Sequence, residues 1–385
     1  VSTRPFVLAL LLIPALARAQ QPPPQEEVIE VTPPPEARPV SPSPGGFGGF
    51  RYELFGILRM KGGFTQDDPN VQFVGRNDGF ALQNARVGLI GTWDRLLFRF
   101  SAEGAVDERT GANATVGVLR FELKDAFLDV RVADALTFRA VRFEPIFDLE
   151  EYIPTSERAF VDFALESRGV LPTQGYQVAG LSPGRSIGVA IRSDRLLTAG
   201  AIDFGYELAV QNGNGEYSSD NDNDSLAYSA ALFAHWGRSF FFLAGRQKDR
   251  TVGELPFLQT QKDYEGAAGA RIALGPIEVA GQVIGRHTTF PTTGGPDENA
   301  FGAHAQVVFH FVFDDKVSIE PGYRFAIYDP SDLISTDQVI EHTLGVTFRL
   351  TQVPIRVQLN YTHPIEQPGR ELENDRLEGA FEVSL

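Results

Sequence analysis

Between Phe143 and Gly184 the chain carries seven carboxylates, Glu144, Asp148, Glu150, Glu151, Glu157, Asp162 and Glu166, against two arginines, Arg158 and Arg168. Nothing in their spacing pairs a nucleophile with a base, so the chemistry on offer is electrostatic. Acids opposed by arginines across water create a transverse field, as charged rings do in ion-selective constrictions. The expected opposing cations are Arg86, Arg99, Arg131 and Arg139, just before the acidic stretch. Arg324, Arg349 and Arg356 lie further along as candidate wall residues. The six histidines, His235, His287, His304, His310, His342 and His363, are scattered. His304 and His310 share a strand face but stand too far apart to chelate one ion. With no cysteine in the chain, disulfides and thiolate metal sites are excluded. No Ser/His pair marks a hydrolase. The expectation is therefore a non-enzyme without cofactor or metal.

These charges sit on strands whose residues alternate. Val317, Ile319, Tyr323, Phe325 and Ile327 oppose Ser318, Glu320, Gly322, Arg324 and Ala326, and Leu344, Val346, Phe348 and Leu350 oppose Thr343, Gly345, Thr347 and Arg349. Side chains two apart share a sheet face, so each strand has one apolar face and one polar, often charged, face. The strands run roughly 10–14 residues, and about 9–11 suffice for a tilted strand to cross a bilayer core. An arginine or lysine on the lipid face near midplane would cost about 2–4 kcal/mol, so the charged faces are expected to line water. Only a closed barrel can carry strands through lipid, because open sheet edges cannot be hydrated there. The fold class predicted is all-β: a transmembrane antiparallel β-barrel.

Sixteen strands are predicted, at 50–60, 79–91, 94–105, 117–132, 135–143, 184–193, 199–212, 223–237, 239–249, 262–275, 276–288, 298–313, 316–328, 338–350, 353–364 and 372–385. Turns of a few residues alternate with long connections rich in Gly, Asp, Asn and Pro, as in bacterial barrels with short periplasmic turns and longer outer loops. The acidic stretch falls in the third outer loop. At about 40 residues it is long enough to be functional. It is expected to fold into the barrel as a constriction, with an external lid or a trimer-contact loop as the competing reading. Aromatic runs at Trp236 with Phe240, Phe241 and Phe242, and at Phe309, Phe311 and Phe313, are expected to form interface girdles.

Ahead of the barrel domain, 49–385, stand two segments of other composition. Arg4, the apolar run Phe6–Leu16 and Ala17-Arg18-Ala19 give residues 1–19 the features of a secretory signal peptide. Residues 20–48, with Pro22-Pro23-Pro24 and Pro33-Pro34-Pro35, read as an extended periplasmic tether. Within it, Glu26–Thr32 resembles the short box by which energy-coupled receptors touch an inner-membrane partner. An energy-coupled or partner-tethered transporter is thus the alternative to a passive channel. Export without cysteine points to the outer membrane of a Gram-negative-type cell, with lipid and small solutes or ions as partners. A net charge of −16 argues against nucleic acid.

Three stretches resemble the phosphate-selective porin O and P family: Phe80–Gly91, with its Arg86 leading into Gly88 and Gly91; Lys124-Asp125-Ala126-Phe127-Leu128; and Val141-Arg142-Phe143-Glu144-Pro145. The resemblance implies a sixteen-stranded, homotrimeric outer-membrane channel for passive uptake of phosphate or other anions. The chain departs from that family at Gln83 and Asn84, where the family carries arginines, and in its acidic rather than lysine-rich third loop. Anion binding needs converging cationic donors, so a weak or mixed ion preference is expected.

Overall fold

In the computed structural model, the described residues are 49–385 except 73, 76–77, 106–120, 172–173, 214–219, 222, 254–255 and 314–315. The signal-peptide and tether expectations, including the 26–32 segment, fall outside them. Strands β1 (Phe50–Thr65), β2 (Gly79–Trp93), β3 (Leu96–Glu103), β4 (Glu122–Ala133) and β5 (Leu136–Phe143) precede the acidic segment. After it come β6 (Ser186–Ala199), β7 (Ile202–Asn212), β8 (Leu226–Trp236), β9 (Ser239–Val252), β10 (Gln259–Leu274) and β11 (Ile277–Thr289). The series ends with β12 (Glu298–Phe309, resuming as Phe311–Phe313), β13 (Val317–Asp329), β14 (Val339–Leu350), β15 (Ile355–Glu366) and β16 (Arg376–Ser384). Every strand pairs antiparallel with its sequence neighbours, and β1 pairs with β16 from Ile57↔Ser384 to Thr65↔Arg376, closing a 16-strand barrel.

Alternation fixes which face is which. On β15, Arg356, Gln358, Asn360 and Thr362 are buried while Val357, Leu359 and Tyr361 are exposed. Leu232, Leu243 and Leu344, each at least 60% exposed, belong to the same outward apolar band. Polar side chains inside and apolar ones outside invert the soluble pattern, which is what lipid as the outer solvent demands.

Strand ends moved where turn chemistry rather than alternation decides. The predicted 184–193 strand continues to Ala199, with a register shift between Ser193 and Leu197. A short turn not expected from the sequence follows at Gly200 (φ +64°), matching Gly237 (φ +58°) and Gly275 (φ +62°) at equivalent turns. These left-handed positions favour glycine and let two-residue hairpins follow the strand twist. The expected girdle at Phe240–Phe242 needs correction. Phe240 and Phe242 are buried and point inward, because three successive aromatics cannot share one face of a strand. Phe309, Phe311 and Phe313 are exposed together on the outer face.

Candidate functional site: the segment between β5 and β6 and the wall it meets

Short elements give the segment its shape. Helix α1 (Leu149–Tyr152) is capped by Asp148, whose Oδ1 accepts the Glu150 N–H at 2.9 Å. A 3-10 turn (Thr155–Glu157) and helix α2 (Leu165–Arg168) follow. Gly169 (φ +81°) ends α2 and begins a two-residue ladder, Gly169–Val170 against Val178–Ala179. A Cβ there would lie 2.1 Å from the Val178 carbonyl oxygen, so only glycine fits.

One side of the segment is apolar. Ile146, Phe147, Leu149, Ile153, Leu165, Val170 and Leu181 form a buried core with inward residues of the wall, including Phe233, Phe240 and Phe242 with Ala231, Ala267 and Ala300. Tyr152 stacks on Phe240 with centroids 4.0 Å apart and planes 7° from parallel, an arrangement worth about 0.5–1.5 kcal/mol beyond its area. Burying each Leu or Phe of this core contributes about 1.5–3 kcal/mol more. This apolar seat on the inner wall is not in the sequence expectation. Its signal is the run of Ala and Phe on faces that elsewhere carry charge.

The other side is polar and meets cations, but not the expected ones. Asp162 pairs with Lys61 of β1 at 2.6 Å and accepts from Gln83 of β2 at 3.0 Å. Glu157 pairs with Arg271 of β10 at 2.8 Å, and Glu150 with Arg324 of β13 at 3.6 Å. Arg168 reaches both oxygens of Glu341 on β14, at 2.7 and 2.9 Å. Arg356 of β15 donates to the carbonyls of Thr155, Ser156 and Arg158 at 2.8–2.9 Å, and Arg349 of β14 donates to Ser156 at 3.0 Å. Arg59 of β1 donates to the Val161 carbonyl at 2.9 Å. A segment bonded at once to the inner faces of β1, β10 and β15 crosses the barrel interior.

Arg86, Arg99 and Arg139 instead pair within their own wall: Arg86 with Glu103 at 3.2 Å, Arg99 with Asp125 at 3.5 Å, and Arg139 with Asp129 at 2.7 Å. Arg131 is solvent-exposed beside the short β4–β5 turn, at the end of the barrel away from the segment. For Arg86, Arg131 and Arg139 the expectation that they oppose the acids is corrected on a physical ground. The segment leaves β5 and runs across the interior, so most of it meets the wall ahead of it rather than the strands behind. The link back is Arg185, which pairs with Glu144 at 2.9 Å, Asp125 at 2.7 Å and Glu151 at 3.5 Å. Arg59, Lys61, Gln83, Gln282, His304 and Glu341 were missed as site residues. Alternation marks Arg59 and Lys61 as inward against Leu58 and Met60, but gives no reason to connect them to a segment 100 residues on.

At the centre of the contact, Gln282 Nε2 of β11 donates to Asp148 Oδ1 (2.9 Å), Glu166 Oε1 (3.1 Å) and Ser167 Oγ (2.9 Å). His304 of β12 meets Glu166 Oε1 through Nδ1 at 2.5 Å and lies 3.9 Å from Glu150 Oε1 through Nε2. Burial first, then the charge of Glu151, pushes Asp148 up to about 6. Burial pushes Arg158 down to about 10 against Glu151 and Glu150, so it keeps its charge at neutral pH. Burial works to raise Asp162, yet Lys61 and Arg168 hold it well below the usual carboxylate range. The seat is shaped by small residues as well. Cβ atoms at Gly302, Gly322 and Gly345, on three adjacent strands, would lie 2.1, 3.3 and 2.9 Å from side-chain atoms of Glu166, Phe160 and Phe160.

No protein-family model and no curated protein matches the chain, so the phosphate-selective resemblance rests on its three stretches alone. Among solved structures, in-vitro folded OmpT of Vibrio cholerae in its trimer form superposes with a TM-score of 0.61. It is 10% identical over 88% of this chain and 100% of that one. An anion-selective porin from Comamonas acidovorans gives 0.60 at 16% identity, over 87% of this chain and 100% of that one. The fold is that of the outer-membrane porins. The outer-membrane channel DcaP of Acinetobacter baumannii gives 0.58 at 13% identity, covering 88% and 98% of the two chains. A porin fold accounts for the apolar exterior, the charged interior and the alternation of short turns with long connections.

Proposed function

We propose that the chain is an outer-membrane porin: a passive diffusion channel for small hydrophilic solutes and ions, working as a homotrimer, with the 144–181 segment as its constriction. The observation that carries this reading is the ring of ion pairs between that segment and the inner wall, Lys61–Asp162, Arg271–Glu157, Arg324–Glu150 and Arg168–Glu341. Lipid on the outside explains the exposed leucines and phenylalanines, and water on the inside explains the charges. The trimeric form of the Vibrio cholerae relative supports the assembly. Asp148, Glu150, Glu151, Glu157, Asp162 and Glu166 with Arg158 and Arg168 supply the constriction. Arg324, Arg349 and Arg356 hold it from the wall.

Acids and bases balance closely there, and Gln83 and Asn84 replace the arginines that a phosphate site would use, so the channel has weak or mixed ion preference. Planar-bilayer recording tests this. The expected result is a stable ohmic conductance with a reversal potential near zero in a salt gradient. Strong anion selectivity with block by phosphate at low concentration would defeat the mixed preference, and absence of any conductance would defeat the channel. Deleting residues 20–48 is expected to leave conductance unchanged, whereas an energy-coupled transporter would lose uptake.

A further inference from the structure

Three buried polar atoms in the seat of α1 and α2 have no hydrogen-bond partner: Asp148 Oδ2, Glu166 Oε2 and His304 Nε2. Asp148 is 3% exposed, Glu166 0% and His304 4%. The groups around Asp148 are Glu150 and Glu151 on its own helix, Glu166 on α2, His304 on β12 and Arg324 on β13, with Gln282 and Ser167 as neutral partners. Four carboxylates thus converge with one histidine and Arg324, with Arg158 facing Glu150 and Glu151 and Arg185 pairing with Glu151. Buried carboxylates this close repel, and binding a proton relieves the repulsion.

We propose that the Asp148–Gln282–Glu166–His304 cluster is a proton-operated latch, which fastens the 144–181 segment to the inner wall in mildly acidic surroundings and loosens it as the pH rises. The proposal rests on the channel reading above and adds regulation to the same site. Three observations support it. Gln282 and the histidine pair tie both helices to the wall, and Glu150 of α1 accepts the Ala164 N–H that precedes α2, so their docking depends on this cluster's charge state. Asp148 also caps α1, so its protonation state acts on the helix as well as on the seat. Finally, the sign is fixed. Asp148 is raised by docking, so its contribution is complete below about 3.8 and is lost as the pH climbs through about 6. Glu166 is held below its ordinary value despite burial, chiefly by His304, so it opposes docking only in stronger acid.

From these values the docked-to-undocked ratio falls about tenfold between pH 5 and pH 8 through Asp148 alone. The full chain has no cysteine, so paired spin labels can be placed cleanly. With labels at Gln177→Cys in the segment and Leu232→Cys on the lipid face, electron–electron distance measurement is expected to give one narrow distance at pH 5 and a broadened, longer one at pH 8. Asp148→Asn mimics the protonated group and should stay narrow at both. His304→Gln should be broad at both, and it keeps the test intact if the first variant fails to assemble. Bilayer conductance recorded in parallel should rise with the broadening. A wild-type distance distribution unchanged from pH 5 to pH 8, or one that still broadens in Asp148→Asn, would overturn the latch. A distribution that broadens in a barrel that never conducts would support the latch and defeat the channel reading instead.

Discussion

Gly302 is the most economical place to separate the barrel from the segment it holds. It faces inward on β12 between Ala300 and His304, and a Cβ built on it would lie 2.1 Å from Glu166 Cβ and 3.3 Å from Glu166 Cα. Carbon atoms settle at about 3.5–4.0 Å, so Gly302→Ala must push α2 back by about 1.5 Å. The clash is with atoms at and next to the helix backbone, so rotating a side chain cannot absorb it. A displacement of that size breaks the bonds from Gln282 to Glu166 (3.1 Å) and Ser167 (2.9 Å), and strains Arg168–Glu341 (2.7 Å). Two such buried bonds, one of them to a charged group, amount to about 3 kcal/mol, or more than a hundredfold in docking. The barrel should not suffer. Gly302 has no left-handed φ, and alanine in a strand interior is favoured over glycine by about 0.5–1 kcal/mol. The expected outcome is a folded barrel with higher single-channel conductance and rapid trypsin cleavage at Arg158 and Arg168. Gly266→Ala, where nothing lies within 4 Å of the added carbon, serves as the control. A Gly302→Ala barrel with wild-type conductance and wild-type protection of those arginines would refute the claim that this seat positions the segment.

Two further outcomes follow from single groups. Arg168→Gln leaves Glu341 paired with Arg376 at 2.7 Å; breaking a buried pair costs about 3–5 kcal/mol, with the surviving arginine placing this case at the low end. Spin-label distances should broaden at all pH values, with β-sheet circular dichroism unchanged. Asp337, 3% exposed in the β13–β14 connection, is pushed up to about 6 by burial and then by Asp329. A raised carboxyl favours the ordered connection below about 3.8 and ceases to do so as the pH passes about 6. Amide exchange protection of residues 331–338, corrected for intrinsic rates, should therefore fall about tenfold from pH 5 to pH 8. It should stay flat in Asp337→Asn.

Strand existence and facing were legible because both are local. A residue's face depends only on its parity along the strand, so Arg324, Arg349, Arg356 and Glu341 could be assigned inward before any partner was known. The ends of β3 and β6 were less legible, since a register shift or bulge adds residues without disturbing composition. Aromatic content by itself places Phe240 and Phe242 in an interface girdle, whereas parity along the strand places them inside, where they are buried.

Alternation, the short turns and the absence of cysteine determined a membrane barrel with a charged interior and an oversized acidic segment after β5. Tertiary structure alone decided what that segment touches. Arg168 and Glu341 are separated by 173 residues and Arg59 and Val161 by 102. Those partners meet only after β1 has closed on β16 and the segment has turned across the interior onto an apolar seat of Phe and Ala. Parity gives the face of a side chain but not its position around a closed ring. Asp162, Glu157 and Glu150 therefore met Lys61, Arg271 and Arg324, while Glu144 and Glu151 met Arg185 beside the segment.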